Sequence, residues 1–513
     1  MATVPHSYPE GCVFSSPADI RGKHITVMGL GLNGGGEAAV RFFLKYGAHV
    51  TVTDMKTAGQ LKPTIDSLGS DSELDASRLV YHLGKHSVED FSSADCVIKN
   101  PGIKYEGNKY LAAAKAVETD LSIFLAFTKA PIIAVTGSKG KSSTVSAIHY
   151  GLCRAGCTAF LGGNITVSPL NFLDKTDETT PVVLELSSWQ LADLRGRKLL
   201  KPRIAVITKI VPDHQNWYGN MEDYVADKRL IYADQTPDCF SVFDADGDEP
   251  GIGPAAGGTW GNLFAAESHA TVLRYSRRKL SQGQSGVWLE SGPNGQFCGR
   301  LLLPGKTESI TILRSLLVPG EHMRINVLIA ALVMVLTGIK PERTADILGK
   351  WEGIPHRLQF FHSWKCAGRT VKFYNDSCAT VPEAAAAASQ SFGQPVVFIT
   401  GGTDKGLPQN VLAETLAHSE SNAIPVKALY LLAGTATDKL MALLDRKKVP
   451  YNGPYNSLDE LLRDVKAYES SLAGPLQNDE TVVFSPGATS FGMFANEFDR
   501  GDKYMDAVKL LFS

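Results

Sequence analysis

The chain has 513 residues, of which 44% are hydrophobic and 20% charged, with a formal net charge of -2. That length exceeds one ordinary core and suggests about three domains. The near-zero charge gives no global field for nucleic acid or an anionic membrane, so an acidic ligand has to be met by a local site.

The opening residues, Met1 to Ser7, have neither the basic nor the apolar region of a secretory signal. Ile25-Thr-Val-Met-Gly29 reads as an apolar strand running into glycines, followed by a helix over Glu37–Tyr46 and a second strand, Ala48–Asp54. Strand, turn, helix and strand in that order call for a parallel sheet. A further strand precedes the turn Asn100-Pro-Gly102, and a helix is expected over Tyr110–Val117. A second unit starts near Ala130 with the buried-strand pattern Pro131–Gly137, a glycine loop and a helix, then the apolar strands Pro181–Leu186 and Ile204–Thr208. Between about Asp244 and Arg300 the chain turns rich in Gly, Pro, Asp, Ser and Gln, which reads as an insertion with small antiparallel strands such as Gly286–Glu290. Asp244, Asp246 and Asp248 lack the rest of a calcium-loop pattern and are expected to form a plain loop. The apolar run Ile325–Ile339 contains Asn326 and is shorter than the ~18–20 residues a membrane span needs. A third alternating unit begins near Gly353, with strand candidates at Val371, Val396, Lys427 and Thr481. The expected bounds are 1–129, 130–353 with the insertion at about 244–300, and 354–513. Eight scattered cysteines, among them the packing candidates Cys153 and Cys157, make no disulfide framework, and a cytoplasmic chain is expected.

The central chemical motif is Thr136-Gly-Ser-Lys-Gly-Lys-Ser-Ser143. A glycine turn between strand and helix lets backbone N–H groups of Gly137, Ser138, Lys139 and Gly140 approach phosphate oxygens, and the helix N-terminus favours their charge. Lys141 can reach the β- and γ-phosphates, and Ser142, followed by Ser143, can ligate Mg²⁺. Val135 stands where the usual pattern has its first glycine. The earlier cluster Gly29-Leu-Gly-Leu-Asn-Gly34, with Asp54 about twenty residues on, fits a dinucleotide fingerprint. It could hold NAD, another diphosphate, or simply close a turn. Glu185 ends a strand of the same sheet as the phosphate loop, a position suited to holding Mg²⁺ directly or through water. Asp213-His214, Lys228, His356-Arg357, Asn375-Asp-Ser377 and Lys405 are each unremarkable alone.

Together they are not. The phosphate loop, Glu185-Leu-Ser-Ser-Trp-Gln-Leu191, Asp213-His214, Asp227-Lys-Arg-Leu-Ile-Tyr232, Gly353-Ile-Pro-His-Arg357 and Asn375-Asp-Ser-Cys-Ala-Thr380 follow the order of the Mur ligases, and the chain resembles that family from about Val27 to Arg500. Gly29-Leu-Gly-Leu32, Ser485-Pro-Gly-Ala-Thr-Ser490 and Phe498-Asp-Arg-Gly501 resemble its D-glutamate-adding branch.

The resemblance implies an α/β protein of three domains: a Rossmann-like N-terminal domain, a P-loop-type central ATPase domain with a mainly parallel sheet, and a Rossmann-like C-terminal domain. It implies ATP-dependent joining of D-glutamate to UDP-N-acetylmuramoyl-L-alanine through an acyl phosphate, in bacterial peptidoglycan precursor synthesis, by a monomer. Leu32, Asn33, Asp54, Asn164 and His214 would meet the UDP substrate. Asn326, Arg357 and Asp376 would join the phosphate loop around ATP. Thr380, Lys405, Ser490 and Phe498 would bind the amino acid. Ser142, Glu185, His214 and Lys228, the last carrying a carbamate, would serve two Mg²⁺ sites, with Lys141, Glu185, His214 and Lys228 as the catalytic set. The chain departs from the family pattern at Cys378, in place of a lysine, at Met323 in place of asparagine, and at Gln359 in place of an acid. A folylpolyglutamate-type or other Mur-type ligase using a different amino acid, a silent binding relative and, more remotely, a nicotinamide oxidoreductase are the alternatives.

Overall fold

Among the described residues three β-sheets organise the chain. The computed structural model describes residues 5–165, 167–291, 297–366, 368–417, 426–472 and 479–513; Met1 to Val4, and residues 292–296 of the 244–300 stretch, fall outside the described residues. By internal contacts the molecule divides into two compact units, the first Met1–Arg314 with Ile325–Leu348, the second Ser315–Arg324 with Gly349–Ser513.

The first unit holds two sheets. In the N-terminal one, five parallel strands are ordered Leu79–Leu83, His49–Asp54, His24–Met28, Cys96–Lys99, Val117–Glu118. The helix Gly35–Lys45 follows the glycine cluster and buries Ala38, Ala39, Val40, Phe42, Phe43 and Leu44, an apolar stripe at helical spacing. The helix expected over Tyr110–Val117 is only Lys109–Ala113. Ala114 turns extended, and Val117–Glu118 pairs with the strand Cys96–Lys99. Strand pairing here overrides the alanine-rich helical propensity.

The second sheet has nine strands, with Ile132–Thr136 flanked by Ile204–Ile207 and Val182–Glu185. All three are buried on both faces, which is why they read as continuous apolar runs. The stretch from 244 is less of an insertion than expected. Phe240–Asp244 and Thr271–Ser276, connected through the helix Trp260–Glu267, extend the sheet in parallel, and Gly286–Ser291 also joins in parallel. Only Gly286–Ser291, Phe297–Leu302 and Ile310–Leu313 pair antiparallel. The three aspartates act as loop anchors: Asp244 accepts from the Asp246 N–H, Asp246 from Ser276 and Arg277, and Asp248 from the Trp260 N–H. Glu321–Leu336 is a helix whose residues Val327–Met334 are completely buried, and no described helix is long and apolar enough to cross a membrane. Cys153, expected to pack, is exposed, and all eight cysteines are free thiols.

The second unit carries six strands in the order Gln359–Cys366, Arg369–Asn375, Glu480–Phe484, Val397–Thr400, Ala428–Leu432, Asn452–Tyr455. Only the first pairs antiparallel. Two apolar clusters cover the sheet's two faces, one built on Val371, Phe373, Val397 and Phe484, the other on Tyr374, Phe398, Leu429 and Val483. Alternate residues of one strand therefore serve opposite layers.

Candidate active site

The phosphate loop leaves the strand Ile132–Thr136 and enters the helix Lys141–Arg154. Gly137 and Gly140 have φ of +139° and +95°, and a Cβ at either would stand 2.0 Å from Thr208 Oγ1 or 2.5 Å from Asn326 Oδ1. Only glycine gives this turn its conformation and clearance. Asn326, expected near ATP, is thus buried directly beneath the loop. Lys141 Nζ donates to the carbonyls of Gly137 (2.9 Å) and Ser138 (3.0 Å). Burial lowers its pKa, opposed by the charges of Glu185 and Asp213.

Lys228 reaches the same loop from the helix Met221–Arg229. It is 2% exposed, and its Nζ donates to the Gly137 carbonyl at 3.0 Å and lies 4.5 Å from the Tyr224 ring centroid. Burial, followed by the neighbouring Lys141 charge, brings its pKa down to about 7. Asp227 beside it accepts from the Tyr218 hydroxyl at 2.8 Å and from Arg195.

Glu185 pairs in register with Val135, one residue before the loop's first residue, Thr136. Its Oε1 accepts from Asn164 Nδ2 at 3.0 Å, while Oε2 is buried with no hydrogen-bond partner. A buried, half-satisfied carboxylate is costly unless a cation or donor completes it. His214 holds a left-handed backbone (φ 51°) at the head of the helix Gln215–Tyr218, with its ring 4.8 Å from Trp189 and 6.3 Å from Tyr224. Among the described residues no three His, Cys, Asp or Glu side chains converge into a metal-binding group. Any ion here would therefore need oxygen from Ser142, the nucleotide, or a modified Lys228 besides Glu185 and His214.

In the N-terminal sheet, Leu32 and Asn33 stand exposed on the glycine loop. Asp54 does something other than wait for a ribose. Its Oδ2 accepts from the N–H groups of Leu30 (2.9 Å) and Gly31 (3.2 Å), and Oδ1 from that of Lys56. A carboxylate committed to the loop backbone has little left for a dinucleotide's ribose, which weighs against the nicotinamide alternative. Asn100, which the sequence reading marked only as a turn, donates to the Gly29 carbonyl at 2.6 Å.

In the second unit, residues 376–380, 401–405 and 485–490 follow the carboxyl ends of three adjacent parallel strands, the usual place for a ligand crevice in an open α/β sheet. Asp376 is fixed by the Leu358 N–H (3.0 Å) and the Ser485 hydroxyl (2.6 Å), and burial pushes its carboxyl up to about 7. Arg357 and Lys405 are exposed, Thr380 is half-buried and Ser490 buried. Phe498 is 53% exposed and meets His356 edge-on at 5.6 Å. Gln359, in place of an acid, accepts from the His356 N–H at 3.0 Å and so closes the turn bearing Arg357. Arg500 was missed as a site residue. It is fully buried and donates to Ser377 Oγ, Ser377 O and Ala488 O, tying two of the three loops together. Its sequence signal was there, inside the Phe498–Gly501 motif, but a lone arginine does not announce that it is buried.

A fold of three α/β sheets, a phosphate loop with two lysines on one carbonyl, and a second unit with loops gathered at its strand ends define an ATP-using ligase class. The profile described as the Mur ligase middle domain matches residues 135–334, and that of the Mur ligase MurD-like N-terminal domain matches residues 23–121. The chain belongs to the Mur ligase family. The UDP-N-acetylmuramoylalanine--D-glutamate ligase of Treponema pallidum (strain Nichols) is 39% identical, over 96% of this chain and 98% of the relative. That of Borreliella burgdorferi (strain ZS7) is 36% identical over 96% and 99%. Among solved structures, the UDP-N-acetylmuramate-alanine ligase MurC from Thermotoga maritima has a TM-score of 0.51 at 17% identity, covering 95% of this chain and 99% of its own. MurF from Acinetobacter baumannii has a TM-score of 0.51 at 16% identity, covering 83% and 93%. These two share the fold.

Proposed function

We propose that this chain joins D-glutamate to UDP-N-acetylmuramoyl-L-alanine in the bacterial cytoplasm, using ATP, and that it does so as a monomer built from domains 1–129, 130–353 and 354–513. The observation that carries the reading is the juxtaposition at the phosphate loop of Lys141, Lys228 and the buried, unpaired Oε2 of Glu185. The family membership and full-length likeness to D-glutamate ligases support the choice of substrates.

The acceptor's carboxylate oxygen attacks the γ-phosphorus, and ADP leaves. The amine nitrogen of D-glutamate then attacks the acyl carbon, the tetrahedral intermediate expels phosphate, and the amine proton passes to solvent. Such a reaction needs positioning and charge neutralisation more than covalent help from the protein. Lys141 supplies a point charge at the transferring group, and the loop N–H groups cradle the phosphates. Asn326 supports the loop, and Arg357 and Asp376 are the second unit's nucleotide-binding residues in this reading. Asn164 fixes Glu185, and with Leu32, Asn33 and His214 serves the acceptor, while Asp54 acts on it through the glycine-loop backbone it holds. Thr380 and Ser490 offer hydroxyls, Lys405 a cation and Phe498 a ring to the amino acid.

The orphaned Glu185 oxygen fits Mg²⁺, which Ser142 and Glu185 would hold, with His214 and a carbamate on Lys228 at a second position; bound there, Mg²⁺ would offset phosphate charge. Lys228 suits that modification. A carbamate forms when a neutral amine nitrogen bonds the carbon of CO₂ and releases a proton, and burial beside Lys141 favours the neutral amine. The test is ADP release with the UDP-muramoyl-alanine acceptor against a panel of D- and L-amino acids. ADP formation dependent on both acceptor and D-glutamate is expected; ADP formation with another amino acid alone overturns the assignment.

A further inference from the structure

Charged groups are sealed between the two sheets of the first unit. Lys99 ends the strand Cys96–Lys99 of the N-terminal sheet, and Asp193 caps the helix Ser188–Ala192 that follows Glu185 in the central one. Lys99 Nζ lies 2.7 Å from Asp193 Oδ2, and the two side chains are 1% and 9% exposed. The ammonium also donates to the carbonyls of Ile103 (2.9 Å) and Asn100 (3.3 Å). Its three protons thus meet three acceptors, two of them in the backbone of the turn Asn100-Pro-Gly-Ile103. Asn100 in turn donates to Gly29 of the glycine loop. One continuous chain of contacts runs from the helix after Glu185, through Lys99, to the loop bearing Leu32 and Asn33.

The surroundings reinforce this link. Arg197 pairs with Glu118 at 2.9 Å, both nearly fully buried, and donates to the Asp193 carbonyl at 2.8 Å. The N-terminal arm lies over the pair: the Tyr8 hydroxyl donates to Asp193 Oδ1 at 3.3 Å, the Tyr8 ring sits 4.2 Å from the Arg197 guanidinium, and the Tyr8 N–H donates to Arg195 O. Asp193 and Ile103 border a cavity of about 270 Å³ together with Trp189 and Trp217, and Trp189 is the ring against His214.

We propose that the Lys99–Asp193 pair is a positioning element for the acceptor, setting the turn 100–103 and the glycine loop at a fixed distance from Glu185 and the phosphate loop. A buried ion pair is weak evidence for stability, because apolar replacements of similar volume often serve as well. What an apolar pair cannot do is hold two turn carbonyls and the carboxylate that caps the helix after Glu185 at one point. An acceptor whose diphosphate end and reacting carboxylate must be held by different sheets depends on that spacing, whereas ATP, on the central loop, does not.

The inference rests on the function proposed above, and equilibrium binding to the full-length chain separates the two. Binding of the UDP-muramoyl-alanine acceptor and of ADP is measured for the unmodified chain and for Lys99→Met/Asp193→Leu. A misplaced acceptor is expected to lower kcat about tenfold to a hundredfold, with acceptor affinity falling in parallel while ADP affinity and the unfolding midpoint stay near those of the unmodified chain. If the double variant does not fold, Asp193→Asn, which keeps an acceptor for the Lys99 proton, carries the same test with a smaller loss. Native acceptor binding in a folded variant, or equal loss of both ligands, overturns the positioning role. Failure of the unmodified chain to bind the acceptor counts against the proposed function instead.

Discussion

Lys141 and Lys228 donate to one and the same oxygen, the Gly137 carbonyl, at 2.9 and 3.0 Å. Two amino groups crowded on a single carbonyl disfavour each other's charge, so Lys228, the more buried, gives up its proton more readily while Lys141 remains the cation offered to phosphate. Lys141→Ala removes the charge that enters from the loop itself. The expected outcome is loss of phosphate release by at least about a hundredfold, the scale of one well-placed transition-state donor, with circular dichroism and unfolding midpoint unchanged. Normal turnover in the folded variant takes this loop out of the nucleotide site.

Lys228 separates two chemical states that Lys141 does not. As a carbamate it gains a carbon from CO₂ and turns from cation to anion. Lys228→Ala is expected to lose most activity and to recover part of it when a short carboxylate is supplied to fill the gap. Independently of turnover, ¹³CO₂ should give the unmodified chain a carbamate resonance that the variant lacks. A variant with no rescue, together with no resonance in the unmodified chain, leaves Lys228 as a buried amine holding Gly137.

What the sequence revealed and what it withheld have physical reasons. The strands beside the phosphate loop were legible because both faces are buried and their residues are uniformly apolar. Gly137 and Gly140 were legible because a strand, a glycine turn and a helix leave few other uses for Gly-Lys-Ser. The sheet extension after Phe240 was not, because loop-rich composition between 244 and 262 hides that the next strand, Thr271–Ser276, pairs in parallel. The Lys99–Asp193 pair and the burial of Arg500 against Ser377 were hidden for another reason: sequence spacing says nothing about partners 94 or 123 residues away. The binding role given to Asp54 met a competing use, the loop backbone itself.

Amino-acid selection is the least local of these properties. Lys405 can pair with a side-chain carboxylate, which D-alanine lacks, so D-glutamate is expected to outcompete D-alanine by about a hundredfold or more in kcat/KM, as sites built around a specific polar group do. Cys378 adds a variable, since the backbone N–H at this position donates to His356 O at 3.0 Å whatever the side chain. Cys378→Lys should therefore fold normally and shift KM for D-glutamate with little change in KM for ATP. Better turnover with L-glutamate or a neutral amino acid, in the unmodified chain, refutes the specificity.

Asp376 makes the second unit sensitive to pH in a direction opposite to most carboxylates. Burial, partly offset by the Ser485 and Leu358 hydrogen bonds, raises its pKa from 3.8 to about 7. The folded state therefore holds this proton more tightly than the unfolded state. The group's contribution is fully present below about pH 4 and is lost as pH rises through about 7. Across that window the loss amounts to as much as about 4 kcal/mol. Asp376→Asn keeps the acceptor for Leu358 and can donate to Ser485, but it never ionises. In urea unfolding the variant should match the unmodified chain near pH 4 and become progressively more stable than it toward pH 8, even as nucleotide binding weakens. A stability difference that stays flat, or that grows toward acid, means the carboxylate is ionised in the folded protein across the whole range.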